Sequence, residues 1–155
     1  MKKIIFILCI SFLSNYCLAA GSSDNTYDKT GLYKSATKLI LKAKKLEKKN
    51  KVEKALSLYA KAYDKLLKAY DKDKKNPDIL NYLGYTSRKA GDFKNAEAFY
   101  LKGLELDASH LGINEYLGEL YIKTNRIDLA KQRLEALKTC NCEEYDELKE
   151  LIDNN

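Results

Sequence analysis

The chain has 155 residues, of which 45% are apolar and 32% charged, with a formal net charge of +6, one His, one Pro and four Cys. That length bounds one compact domain, a single histidine excludes the two-His zinc motif H-E-x-x-H, and no G-x-S-x-G nucleophile motif is present. The net charge conceals a gradient: residues 34–75 hold 15 Lys against five acidic side chains, while residues 111–155 hold six basic and ten acidic ones.

The first twenty residues read as an address. Lys2 and Lys3 form a short positive region, an apolar run covers residues 4–13, and the small residues Ala19, Ala20 and Gly21 follow. That order is the pattern of a cleaved secretory signal, with cleavage after Ala19 or Ala20 and a periplasmic or secreted destination. An uncleaved anchor is the weaker reading, because Ser14 and Asn15 interrupt the run at ten residues and a span needs about 20. Lipidation at Cys17 is also weaker, since Ser14, Asn15 and Tyr16 are a poor lead-in. Cleavage removes Lys2, Lys3, Cys9 and Cys17, so the mature chain carries +4 and one cysteine pair, Cys140 and Cys142.

Residues 21–31 hold few apolar groups and are expected to form a flexible leader. Beyond them the only proline is Pro77, and Lys, Leu, Ala and Glu dominate. This composition favours helix, and no segment alternates as a half-buried strand would.

The chain also repeats itself. Tyr82-Leu83-Gly84 recurs as Tyr116-Leu117-Gly118, 34 residues later, and Ala96 recurs as Ala130. Gly91 is answered by Asn125, Phe93 by Ile127 and Tyr100 by Leu134. A looser copy precedes them, in which Asn50, Val52, Ala55, Tyr59 and Ala62 match Gly91, Phe93, Ala96, Tyr100 and Gly103 at an offset of 41. The seven extra residues are two helical turns, which lengthen a helix without rotating its apolar face. They predict an extended helix over about 52–74, ended by Asn76-Pro77.

Each repeated residue has a mechanical role. Gly84, Gly118 and Ala43 are expected where the two helices of a pair cross closely, with Ala55, Ala96 and Ala130 facing them. Asn50, Gly91 and Asn125 suit the left-handed turn that ends a helix. Asp92 and Ser109 occupy the places of helix N-caps. Residues 143–153 form an amphipathic last helix through Tyr145, Leu148 and Ile152.

With a 34-residue period of helix pairs, residues 36–144 resemble three tetratricopeptide repeats (TPR). The repeats span about 36–76, 77–110 and 111–141 within a domain of 32–155, and the helix 143–153 caps the open end. The pattern departs from the family at Lys42, Ser87 and Ala108. The Ala-Gly-Ser-Ser-Asp leader, residues 81–88 and the late cysteine pair resemble small exported bacterial proteins of this family. The resemblance implies an all-α, right-handed solenoid of three helix pairs plus a cap, with function in its concave groove. Groove-facing positions carried over by the resemblance are Asp78, Asn81, Tyr85, Arg88 and Lys89 in the second repeat, and Glu115, Glu119 and Lys123 in the third. Ile40, Lys44 and Lys48 are the candidates in the first. Asn81 is expected to bond an extended backbone, Tyr85 to cover it, and Arg88 and Lys89 to meet acidic groups. Tyr85→Ala and Arg88→Glu are expected to weaken binding while leaving stability nearly unchanged. The family's clamp for a terminal carboxylate is not carried over, because Ile40 and Tyr82 stand at positions it needs.

No catalytic arrangement emerges. His110 lies at the joint between the second and third repeats, and no Gly-rich phosphate loop is present. No enzyme activity, cofactor or metal is expected. Cys140-Asn141-Cys142 leaves three readings open: a short-ring disulfide, a soft-metal pair, or two reduced thiols, with an oxidising compartment favouring the bridge. The lysines of the first repeat fall right round their helices, as a solvated surface does. Export argues against nucleic acid, and an acidic partner or anionic lipid surface remains open.

Three functional classes follow. The first is an exported scaffold gripping a protein or peptide in its groove. The second is a structural or homo-oligomeric spacer with a Lys-rich face. The third, with least support, is a redox or metal protein working through Cys140 and Cys142.

Overall fold

The computed structural model describes residues 25–155, with side chains from residue 31 onward; the expected signal segment, 1–20, lies outside the described residues. Those residues form seven α-helices and no strand: α1 (Asn25–Glu47), α2 (Val52–Lys72), α3 (Pro77–Lys89), α4 (Phe93–Leu106), α5 (Leu111–Lys123), α6 (Ile127–Leu137) and α7 (Glu143–Asp153). The main contacts join α1 to α2, α3 to α4 and α5 to α6, and each pair stacks on the next through α2–α3 and α4–α5. The fold is an all-helical TPR solenoid, closed at its far end by α7 against α5 and α6. No described helix is long and apolar enough to cross a membrane.

The same backbone device ends the first helix of every pair. Asn50, Gly91 and Asn125 take φ of 55°, 84° and 58°. The following N–H then reaches back five residues: Lys51 to the Leu46 carbonyl at 2.9 Å, Asp92 to Ser87 at 2.9 Å, and Arg126 to Tyr121 at 2.7 Å. These bonds satisfy carbonyls that a helix end would otherwise leave open, and only Gly or Asn reaches that conformation cheaply. N-caps set the other ends. Asn76 Oδ1 accepts from Ile79 N at 3.3 Å, just ahead of Pro77, and Asp92 Oδ1 accepts from Asn95 N at 3.2 Å. Ser109, expected to cap α5, does not. Its N–H and hydroxyl both donate to Asp107 Oδ1, and His110 is the cap, with Nδ1 accepting from Ile113 N at 3.2 Å. That bond makes Nδ1 the acceptor, so Nε2 carries the proton toward Asp78 Oδ1, 3.2 Å away.

The first pair is long in both members. α2 runs from Val52 to Lys72, with Ala55, Tyr59, Ala62, Leu66 and Ala69 buried along one face. Its partner is extended in the other direction: α1 starts at Asn25, so residues 25–31, expected in a flexible leader, are helical. The two extensions explain each other. In an antiparallel pair the start of α1 lies beside the end of α2, and Leu32, Tyr33 and Ala36 cover the apolar face that the two extra turns create.

Close approach sets the spacing of the pairs. A Cβ on Gly84 would lie 2.4 Å from Tyr100 Cε1, and Tyr100 is fully buried. Gly118, expected to meet its own pair partner α6, instead meets the cap: a Cβ there would lie 2.5 Å from Leu148 Cδ2 of α7. The third repeat has only a half-buried Leu134 where the second has Tyr100, so the last helix supplies the filling side chain. Cys140 and Cys142 are joined by a disulfide with their Cα atoms 5.2 Å apart, around Asn141 at a φ of 49°. This turn launches α7.

Gly84→Val is expected to lower unfolding free energy by about 1–3 kcal/mol through overpacking on Tyr100. Gly31→Ala, with nothing within 4 Å of its Cβ, is expected to raise it by up to about 1 kcal/mol through helix propensity. Urea titrations of both variants check the contrast. Cys142→Ser is expected to cost about 1 kcal/mol or less, because a bridge stabilises little when its loop is this short. Its signature is faster amide exchange confined to α7 and the turn before it.

Candidate functional site

Three tyrosine rings, one from each helix pair, form a contiguous row. Tyr59 of α2 meets Tyr85 of α3 edge-on, with centroids 5.7 Å apart, and Tyr85 meets Tyr116 of α5 at 5.0 Å. The rings hold different positions of the repeat: Tyr59 comes from a second helix, and Tyr85 and Tyr116 from first helices. Cations gather on the middle ring. Lys44 Nζ lies 4.8 Å from the Tyr85 centroid, the Arg88 guanidinium 5.5 Å and Lys89 Nζ 5.8 Å. Aromatic faces attract such cations, and the attraction is stronger where water is excluded.

These cations already have partners. Arg88 Nη1 donates to Glu119 Oε2, Lys89 Nζ stands 2.8 Å from Glu47 Oε1, and Lys44 Nζ donates to Tyr116 Oη at 3.2 Å. Tyr59 Oη donates to Glu47 Oε2 at 2.7 Å, and the Tyr85 ring, flanked by all three cations, links these pairs into one network across three repeats. Burial pushes the Tyr85 hydroxyl up to about 12, an effect partly offset by Tyr59 and by the Arg88 charge. Tyr100 is raised as well, again by burial.

Beside this network lies a cleft of about 410 Å³ between α3, α5 and α7, lined among others by Asn81, Tyr82, His110, Glu115, Tyr116 and Glu144. It adjoins a recess of about 260 Å³ where Lys44 of α1 faces Glu115 and three carboxylates of α7, Glu143, Glu144 and Glu147. Because α1 and α7 line one recess, the inner face is concave. Glu115 is 5% exposed, and its carboxyl is pushed up to about 9. Burial is the main cause, followed by a hydrogen bond to Glu147 and the charges of Glu119, Glu147 and Glu144. Asn81 is 6% exposed, and its Oδ1 has no hydrogen-bond partner. A further cleft, about 430 Å³ and lined by Leu56, Ala60, Tyr63 and Ala90 among others, opens between α2 and α3 away from the tyrosines. No opposed charges converge on it.

The residues expected in the groove therefore divide. Lys44, Tyr85, Arg88, Lys89 and Glu119 come together in the tyrosine network, and Asn81 and Glu115 line the adjoining cleft. Lys123 does not join them; its Nζ lies 5.6 Å from the Phe93 ring of α4. Cys140 and Cys142 sit in the turn before α7 and line neither cleft. The expectation that Tyr85 and Arg88 stand free in the groove needs correcting. Tyr85 is 4% exposed and the Arg88 side chain 11%, because rings above and below enclose them. Sequence reasoning passed over Tyr59, Tyr116, Glu47, Glu144 and Glu147. The two tyrosines carried a signal, since Tyr116 repeats Tyr82 and Tyr59 matches Tyr100; the acids of α7 carried none until the cap was placed.

Residues 77–110, which contribute Asn81, Tyr85, Arg88 and Lys89 to this face, match the family model of the tetratricopeptide repeat. That stretch is a tetratricopeptide repeat, and the chain as a whole has the tetratricopeptide-repeat fold. Solved structures of TPR proteins share its fold. The type III secretion chaperone SycD of Yersinia enterocolitica, in complex with a peptide of the translocator YopD, is 17% identical with a TM-score of 0.55, over 78% of this chain and 88% of that one. The second TPR domain of human RPAP3, in complex with an HSP70 peptide, is 16% identical with a TM-score of 0.54, over 82% and 99%. The Arabidopsis OM64 TPR domain is 14% identical with a TM-score of 0.53, over 79% and 98%. None of the curated proteins matches the sequence. At these identities the likeness of this chain to the solved structures is one of fold.

Two outcomes test the site. Tyr85→Ala is expected to cost about 3–5 kcal/mol, as truncation of a buried ring does, measured by urea unfolding. The Glu115 carboxyl sits near 4.5 in the unfolded chain and about 9 in the folded one. Between those values the folded state holds the extra proton, so stability falls as the pH rises through that window. Glu115→Gln is expected to flatten this fall in melting temperature between pH 5 and 9, and to stabilise the protein at neutral pH.

Proposed function

We propose that this TPR chain is an exported, non-enzymatic scaffold that holds an extended protein segment on the concave face of α1, α3 and α5. The observation that carries the reading is the cleft beside the tyrosine network, where Asn81 presents an amide oxygen with no partner in the protein. A peptide backbone supplies N–H groups for such an acceptor, and the Tyr82 and Tyr116 rings flank it. Peptide complexes of SycD and of human RPAP3, which share the fold, support the reading that a peptide is the guest. His110 supports the non-enzymatic part of the proposal, because both ring nitrogens are taken up, Nδ1 in capping α5 and Nε2 in reaching Asp78 of α3. Export rests on the pattern of residues 1–20, with the mature chain starting at Ala20 or Gly21 and residing in the periplasm or outside the cell.

A photo-crosslinking residue placed at Asp78, on the rim of the cleft, is expected to capture a partner segment in protein isolated from its native compartment. The same residue at Leu101, on the outer helix α4, is expected to capture none. The reverse pattern would move the binding face to the outside of the stack. Recovery of this chain's own peptides at Asp78 would favour a self-associating spacer instead. N-terminal sequencing of the same material tests export: a mature chain still carrying Lys2 and Lys3 rejects the cleaved signal.

A further inference from the structure

We propose that the cleft between α3, α5 and α7 receives a cationic side chain, the Lys or Arg of an extended partner segment, while Asn81 holds that segment's backbone. The inference rests on the peptide-binding reading above and adds the charge of the guest.

Two independent observations point to the same guest. The first is Asn81. Its side chain is buried and its Oδ1 unpartnered, and a buried acceptor left open costs about 1–3 kcal/mol. A backbone N–H entering the cleft removes that cost. The second is the imbalance of charge. Glu115, Glu143, Glu144 and Glu147 gather around the cleft and its recess with Lys44 as the only Lys or Arg lining either. Lys44 is itself committed to Tyr116 Oη and to the tyrosine faces. Glu115 shares a hydrogen bond with Glu147 and retains its proton, so a proton stands where a cation would serve.

The chemistry of the walls narrows the guest further. Among the described residues no group of His, Cys, Asp and Glu is arranged to hold a metal ion, so the carboxylates present a spread of acceptors rather than one coordination point. An ammonium or guanidinium with several N–H donors matches such a spread. Tyr82 and Tyr116 offer flat surface for its aliphatic stem, and long cationic side chains characteristically lay their stems on apolar surface. An acidic guest fits poorly, because Arg88 and Lys89 are already paired with Glu119 and Glu47.

The test uses the mature chain and three fluorescein-labelled decapeptides, capped at both ends, alternating Ala with Lys, norleucine or Glu. Fluorescence anisotropy at physiological salt is expected to show the Lys peptide binding at least about tenfold more tightly than the other two, equivalent to about 1.4 kcal/mol. The double variant Glu144→Gln, Glu147→Gln is expected to lose that preference. Asn81→Leu, similar in size, is expected to weaken the Lys and norleucine peptides alike. A control pair on the same helix but outside the cleft, Asp146→Asn with Glu150→Gln, is expected to change nothing. Equal loss in the control pair would reduce the effect to attraction by the acidic end as a whole and overturn the proposal. Tighter binding of the Glu peptide, or no binding of the Lys peptide, would also overturn it. Dissociation of a homo-oligomer by the Lys peptide would assign the cleft to the Lys-rich helices of a second copy and equally reject the partner segment. In each of these cases, photo-crosslinks from Asp78 to another protein would leave the scaffold reading standing, so the two failures are distinguishable.

Discussion

Everything in this molecule depends on how closely a pair of helices can approach. Gly84 has no Cβ because the Tyr100 ring occupies that space, and Ala43, Ala55, Ala96 and Ala130 are fully buried at the related crossings. Small residues on the facing surfaces let large ones interlock, and well-packed interiors leave few gaps for compensation. Once the spacing is set, the left-handed turns at Asn50, Gly91 and Asn125 bring each second helix back at a similar angle. The inner face follows from this geometry, since successive pairs must present matching residues to the same side.

The third pair shows what happens when the pattern weakens. Leu134 does not fill the space that Tyr100 fills one repeat earlier, and Leu148 of the cap takes its place against Gly118. The cap therefore does more than cover an apolar end. By docking on α5 it carries Glu143, Glu144 and Glu147 to the rim of the concave face, within the same recess as Lys44 of the first helix. Structural closure and the chemistry of the cleft are consequences of one contact. Tyr116 has a comparable double role, packing against both core clusters while accepting the Lys44 hydrogen bond on the concave face.

The cations around the Tyr85 ring are all engaged, two by carboxylates and one by a hydroxyl. Arg88, Lys89 and Lys44 are held by Glu119, Glu47 and Tyr116 around the Tyr85 ring. Such a network fixes the relative positions of three repeats, and breaking one member leaves its partner charge poorly compensated. It turns residues that face a groove in projection into interior residues. The open chemistry is displaced sideways, to Asn81 and the carboxylates beside it.

The sequence by itself determined the helical class, the period and the turns. Those features are local: a 34-residue recurrence, a Gly or Asn at each turn and an apolar face of constant direction are written in neighbouring residues. Even the long α2 was legible, because seven extra residues preserve helical phase. The tertiary structure alone decided the rest. It lengthened α1 to match α2, gave the cap of α5 to His110 rather than Ser109, set Gly118 against α7 rather than α6, and enclosed Tyr85 and Arg88. Three of these outcomes depend on partners dozens of residues away; the cap of α5 combines a local bond of Ser109 to Asp107 with the distant contact of His110 to Asp78. Position within a repeat tells which side a residue faces; whether that side is open to solvent depends on side chains that arrive from other repeats.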